Sequence, residues 1–438
     1  MNSNQFTSEE MIPLLGIILL VASILIYNYG RGYREFWSPL TIIAIVYAYY
    51  CCLGPYEAVL TGETSDRLLN MRKFYVSGFY GALISILAYA GGFVLHGRAK
   101  FPARIPDMSV EALFDYGRKI FIIGFILFTI STRGRVADLI NPLDAEYVPK
   151  AGGTIGNYLA LSLNFLIPAV TLLFLYFLKA KKKLLWFLIT FLVSAGIFTT
   201  LGFRYRLVLL LANCAIVYYY HIKRRPNLIV LVVGLVSLIA IMGAINITRK
   251  YGSGLDIGKL REATTESSYK SGLQEAGVFQ TSGAIIDLIP ERHPHVGLQP
   301  VISTLLFPIP SALYPGKNSA EYLFSALDAV YGKRYSEGAA IMAFGEYYLA
   351  FGWVGIIVGC FLSGWVLRKL WNWFLANSDN YFVVACYAVS VSFLYVILSR
   401  GYLPQVTTLF FFTVFPIYVA LRNARKKYGQ QNLRWRKG

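Results

Sequence analysis

Residues 222-IKRRPNLIVLVVGLVSLIAIMGAINITRK-250 decide the fold. Lys223, Arg224 and Arg225 precede the run, Arg249 and Lys250 follow it, and positions 228–248 hold no charged residue. A helix needs roughly 20 apolar residues to cross ~30 Å of hydrocarbon, and this run supplies them. The basic cluster at one end marks the cytoplasmic side of such a crossing.

Working outward, comparable apolar runs occupy 12–29, 38–58, 74–95, 118–133, 155–178, 184–201, 204–221, 341–367, 381–399 and 404–421. The chain therefore reads as an all-α polytopic integral membrane protein with about 11 transmembrane helices. Its 438 residues are 56% hydrophobic and only 15% charged, so a soluble fold would lack the polar groups to cover its surface.

The formal net charge is +18, and its excess falls in every second connection. Those connections carry Arg31 and Arg34, Arg98 to Lys119, Lys179 to Lys183, Lys223 to Arg225, Arg368 with Lys369, and the tail from Arg422. The positive-inside rule makes that side cytoplasmic, with the N-terminus periplasmic and the C-terminus cytoplasmic. Orientation thus accounts for the basic balance, and no nucleic-acid partner is expected. Glu9 and Glu10 stand where a cleavable signal would be basic. The five cysteines lie inside apolar runs with no CxxC spacing and read as small core residues.

Most connections are short, but 249–340 forms one large loop of about 90 residues on the periplasmic face, a length usually tied to function or disorder. Within it, 296-VGLQPVISTLLFPIPSALYPG-316 is apolar enough to enter a membrane interface. Pro300, Pro308, Pro310 and Pro315 forbid a spanning helix, so the segment reads as interfacial or re-entrant.

A few polar residues need an explanation. Arg204 and Arg206 open a span at its outer end, where the helix dipole is already positive. An anion would satisfy both dipole and guanidinium groups; snorkelling to lipid headgroups is the other reading. Arg249, Lys250 and Arg400 end spans on the same side, where the dipole is negative and a cation is comfortable; a functional part stays open for Arg249 and Lys250, and Arg400 is also placed to complete an arginine cluster. Arg292, Lys317, Lys333 and Arg334 lie in the loop, with solvation and substrate contact both open. In 339-AAIMAFGEYYLAFGWVGIIVGC-360, Glu346 falls near the outer boundary, where an ionisable group is a functional hypothesis, although the dipole also favours it there. Tyr347 and Tyr348 are placed to stack on sugar rings or to form an interfacial belt. His293 and His295 offer a general base. They have no third ligand at convincing spacing, so no metal is expected. No nucleotide-binding or hydrolase signature is present, and no cofactor is expected.

Three stretches carry a family likeness: 202-GFRYR-206, 307-FPIPSALYPGK-317 and 344-FGEYYLAFGWVG-355. On them the chain resembles the O-antigen polymerase (Wzy-type) family of oligosaccharide repeat-unit polymerases. The resemblance implies a GT-C-type glycosyltransferase architecture in the bacterial inner membrane. The substrate it implies is undecaprenyl-pyrophosphate-linked oligosaccharide, held among membrane lipids, with a chain-length regulator and a flippase as partners. Carried over by position, Arg204 and Arg206 would contact pyrophosphate, and Glu346 matches the acidic position of the third stretch; Arg249 and Arg400 join them as candidate pyrophosphate contacts only from their place at the outer ends of spans. The 291-ERHPH-295 segment departs from the pattern, so the base stays open among Glu346, His293 and His295.

The expected reaction is attack of an acceptor hydroxyl on a sugar already activated by its pyrophosphate, so no nucleotide is required. Arginines would neutralise the departing pyrophosphate in place of a metal. The rivals are an O-antigen ligase-like transfer to lipid A core and a lipid-linked oligosaccharide flippase. A flippase calls for charges deep inside several spans and a small outer loop, whereas here the charges gather at the boundary.

Overall fold

The computed structural model describes residues 5–66, 69–95, 105, 108–132, 153–201, 204–248, 271–273, 277–309, 313–314, 320–332 and 339–435. Apart from one two-residue antiparallel pair, Ser65–Asp66 with Leu69–Asn70, the regular structure among them is helical. The helices are α1 Ser8–Gly30, α2 Tyr33–Phe36, α3 Pro39–Tyr47, α4 Gly54–Thr61, α5 Tyr75–Leu95, α6 Val110–Ser131, α7 Gly153–Leu161, α8 Leu166–Ala180 and α9 Leu184–Thr200. They continue as α10 Arg204–His221, α11 Leu228–Thr248, α12 Gly277–Leu288, α13 Gln299–Leu306, α14 Glu321–Tyr331, α15 Ala343–Ala376, α16 Tyr381–Ser392, α17 Leu394–Ser399 and α18 Leu403–Trp435.

Eight stretches among the described residues are long and apolar enough to cross a membrane: 8–30, 39–61, 71–95, 158–180, 228–245, 343–376, 381–399 and 403–427. Large apolar side chains stand exposed along them, such as Leu19, Leu87, Ile229 and Val354. In water such rows would be a liability; in lipid they are the expected surface. The protein is an all-α polytopic membrane protein. Helix α9 has 17 residues and is apolar but shorter. Helix α6 begins at Val110, upstream of the apolar run that starts at 118, because Ser109 caps it by accepting from the Ala112 N–H.

The chain divides into two compact units. The first comprises 1–99, 273–371 and 394–408. It opens with a capping box: the Thr7 hydroxyl accepts from Glu10 N–H, and the Glu10 carboxylate accepts from Thr7 N–H. Glu10 also pairs with Arg72 at 3.2 Å. Helices α3 and α4 run into one another through a π segment, Ala48–Leu53, next to Pro55, whose ring nitrogen has no proton for the i→i−4 ladder. Helix α12 lies within the 249–340 stretch yet is almost wholly buried against α5. Close approach there needs glycine: a Cβ on Gly283 would sit 2.5 Å from the Phe74 carbonyl oxygen. The polar residues of α12 are satisfied by partners within the same unit. Gln280 donates to Tyr75 Oη at 2.8 Å, Thr281 pairs with Tyr331 Oη at 2.8 Å, and Ser282 Oγ accepts the Met342 N–H at 2.8 Å.

The second unit comprises 100–272, 372–393 and 409–438. Helix α8 is its centre, packed by α6, α9, α10 and α16. Helix α16 is buried along most of its length, and its Tyr387 ring stacks on Phe374 at 3.8 Å between centroids. Asn213 of α10 accepts from Ser392 at 3.2 Å, a polar tie inside an otherwise apolar packing layer. All five cysteines are free.

Candidate functional site

Helix α15 is interrupted at Phe351 (φ −140°, ψ 22°) and Gly352 (φ +62°, ψ −149°). A side chain at Gly352 would be strained, and its Cβ would lie 3.3 Å from His295 Nε2. The break separates the turns 343–350, which carry Glu346, from the long helix that follows. It also exposes the last carbonyls of those turns, which require donors. The amides of Val296 and Gly297 supply them, reaching Leu349 O at 3.0 Å and Ala350 O at 2.9 Å. The histidine-bearing segment is thus the cap of the Glu346-bearing turns.

Glu346 is 3% exposed, and its carboxylate is well supplied with donors. The Leu403 N–H donates to both oxygens, 2.9 Å to Oε1 and 3.1 Å to Oε2, and Tyr322 Oη donates to Oε1 at 2.5 Å. Leu403 is the first residue of α18, so a carboxylate from another helix caps the positive end of its dipole. Two residues earlier, Gly401 N–H donates to Ile341 O at 2.6 Å. Arg400 precedes these ties and is exposed. Burial first, then the neighbouring Glu346 carboxylate, pushes the Tyr322 phenol well above its ordinary pKa, so it stays a donor across the working pH range.

His293 is half-buried, and its ring is held at both nitrogens. Nδ1 lies 2.7 Å from the Pro294 carbonyl oxygen. A carbonyl only accepts, so Nδ1 carries the proton and, in the neutral ring, Nε2 is the acceptor. Nε2 faces Ser325 Oγ at 3.0 Å. Ser325 also has the Tyr322 carbonyl as an alternative acceptor at 3.2 Å. Helix α14 therefore joins His293, through Ser325 and Tyr322, to Glu346 and the Leu403 amide. Tyr322 and Ser325 were not singled out by sequence reasoning. The signal available for them was their i, i+3 spacing in 321-EYLFSALDAVY-331, which puts both on one helical face.

The remaining candidates are placed as follows. His295 is exposed, with its ring edge-on to Tyr348 at 5.5 Å. Tyr348 is buried, donates to Ile289 O at 3.2 Å, and meets Trp353 at 5.3 Å. The Tyr347 ring packs so tightly over Gly359 that a Cβ there would lie 2.8 Å from it. Both tyrosine rings are taken up in packing. In the second unit, Arg204 and Arg206 fill the first turn of α10. Arg204 is half-buried; Arg206 is 3% exposed and donates from Nε to Asn164 Oδ1 at 2.7 Å. Its guanidinium lies 5.4 Å from the Tyr205 ring centroid and 6.0 Å from that of Phe198. Arg292 is exposed. Arg249, Lys250, Lys317, Lys333 and Arg334 lie outside the described residues. Among the described residues, no group of three His, Cys, Asp or Glu side chains is arranged to hold a metal ion.

Comparison with curated proteins and with solved structures finds no match in either. A match to the family described as O-antigen polysaccharide polymerase Wzy runs from residue 5 to residue 431, nearly the whole chain, and the protein belongs to that family.

Proposed function

We propose that the protein joins undecaprenyl-pyrophosphate-linked repeat units into O-antigen or a related surface polysaccharide at the periplasmic face of the inner membrane. Family membership supports repeat-unit polymerisation by a glycosyltransferase-like enzyme. The lipid-pyrophosphate donor, the outward site, the GT-C architecture and the periplasmic N-terminus belong to the same proposal. The positive-inside charge pattern and the chemistry of the side chains support it.

The observation that carries the chemical reading is the orientation of His293. Its tautomer is fixed by Pro294, its Nε2 is an acceptor, and a hydroxyl already sits against it. Ser325 Oγ occupies the place of an acceptor sugar hydroxyl. When substrate arrives, Ser325 turns its proton to the Tyr322 carbonyl and leaves Nε2 free. The sugar hydroxyl then gives its proton to Nε2 as its oxygen attacks the anomeric carbon. The bond from that carbon to the pyrophosphate oxygen breaks, and the lipid pyrophosphate departs with the electron pair. Attack opposite the leaving group inverts the anomeric centre. Glu346 has its oxygens engaged by Tyr322 and Leu403, so its part is to hold those elements in place rather than to take the proton. Arg204 and Arg206 are the proposed pyrophosphate contacts; the α10 N-terminus adds its dipole to theirs.

The test is reconstitution of the purified protein with a synthetic lipid-pyrophosphate repeat unit. A ladder of products with one lipid pyrophosphate released per bond is expected. A single transfer to lipid A core, or none from this donor, contradicts the reading.

A further inference from the structure

Helix α13 has eight residues and so is ~12 Å long at about 1.5 Å per residue, far short of a bilayer. Leu298, Val301, Ile302 and Leu305 are exposed by 60%, 46%, 51% and 73%. Their spacing, i, i+3, i+4 and i+7, makes a single apolar stripe along one side. Pro300 is buried. The turn bonds to itself, with Thr304 Oγ1 donating to Pro300 O at 2.7 Å.

What covers this stripe follows from where the helix begins. The amides of Val296 and Gly297 are bonded to Leu349 and Ala350, at the break in α15. The next residues of α15, Phe351, Trp353 and Val354, are exposed, and Ile357 and Val358 continue the row along a helix that is long and apolar enough to span the membrane. The α13 stripe therefore starts one residue beyond a backbone junction with the point where a lipid-facing row starts. Trp353 at that point is the residue type that favours the boundary between headgroups and acyl chains.

The geometry points to α13 as an interfacial foot, lying in the membrane surface with Leu298, Val301, Ile302 and Leu305 in the lipid. The occupant of the stripe is the bilayer itself, and the surface is continuous with the lipid-facing row of α15. Because Val296 and Gly297 cap the turns that carry Glu346, the depth of the foot sets the height of those turns relative to the membrane. This inference does not depend on the reaction proposed above.

The experiment uses the full chain in vesicles of phosphatidylcholine and phosphatidylglycerol. Leu305→Cys and Glu291→Cys each carry an environment-sensitive fluorophore, with labelled wild type as background for the native cysteines. Nitroxide lipids quench from either a shallow or a deep acyl position. The expected result at Leu305 is blue-shifted emission quenched more by the shallow nitroxide, against water-like emission at Glu291. Water-like emission at Leu305 would overturn the inference. So would stronger quenching by the deep nitroxide, which means a re-entrant insertion. Blue-shifted emission insensitive to either nitroxide, the mark of a second copy or a protein partner, would overturn it too.

Discussion

Glu346 and Leu403 are joined across 57 positions: a carboxylate in the turns before one helix break caps the first amide of another helix at 2.9 and 3.1 Å. A carboxylate at a helix N-terminus contributes about 0.3–1 kcal/mol when exposed and up to ~2 kcal/mol when partly buried. The same group also takes the Tyr322 proton donor. The pair therefore fixes α14, the 401–403 turn and the 343–350 turns as one assembly.

Glu346→Ala leaves Leu403 N–H and Tyr322 Oη without their acceptor. At about 1–3 kcal/mol for each stranded group, the expected loss of folding stability is about 2–6 kcal/mol. Glu346→Gln keeps an acceptor oxygen and should cost less. Thermal unfolding in detergent checks the order; equal midpoints for wild type and the alanine variant contradict the clasp.

Tyr322→Phe removes one hydrogen-bond donor to the buried Glu346 carboxyl, worth about 0.5–3 kcal/mol across neutral and ionised acceptors. Because Tyr322 and Glu346 share one bond, the effects of Tyr322→Phe and Glu346→Ala, each of which removes it, should not add. A double-mutant cycle should return a coupling of about 0.5–3 kcal/mol, and strict additivity refutes the shared bond.

Gly352→Ala places a side chain at φ +62° and against the His295 ring. With ψ −149° this is a backbone region essentially reserved for glycine, and it costs another residue about 1–3 kcal/mol before any contact is counted. The variant should lose stability and shift the His295 resonance in NMR of the labelled imidazole. An unmoved resonance contradicts the contact.

The sequence made the membrane class plain because apolar runs near 20 residues have no soluble alternative. It did not reveal the break at Gly352, since glycine is tolerated inside apolar helical patterns and 341–367 reads as one run. Helix α12 escaped for another reason. Gln280, Thr281 and Ser282 make it look like loop, and their partners Tyr75, Tyr331 and Met342 are far away in sequence. Glu346 and His293 stood out as polar groups in unusual places. Tyr322 and Ser325, which link them, are ordinary residues on a short amphipathic helix and gain their meaning only from the fold.

Arg206 is held through Nε by Asn164, a bond a lysine cannot reproduce in the same geometry. Arg206→Lys should therefore lose most of the activity although the charge is kept. Arg204→Ala should abolish polymer while the protein remains inserted. Full-length polymer from the alanine variant, judged on gels of cell-surface polysaccharide, removes the anion-contact assignment.

Ser325→Ala separates a placeholder from a participant. With Nδ1 still bonded to Pro294, His293 keeps its tautomer, so turnover should stay within about tenfold of wild type. A loss as large as that expected for a missing general base would give Ser325 a chemical part of its own.

The most direct measurement is the rate of glycosidic bond formation by purified His293→Ala with the lipid-pyrophosphate repeat unit, under saturating donor. The account predicts a fall of about 10²–10⁴-fold, the usual worth of a general base, with the unfolding midpoint near that of wild type. A His293→Ala enzyme that lengthens polymer at the wild-type rate would contradict it.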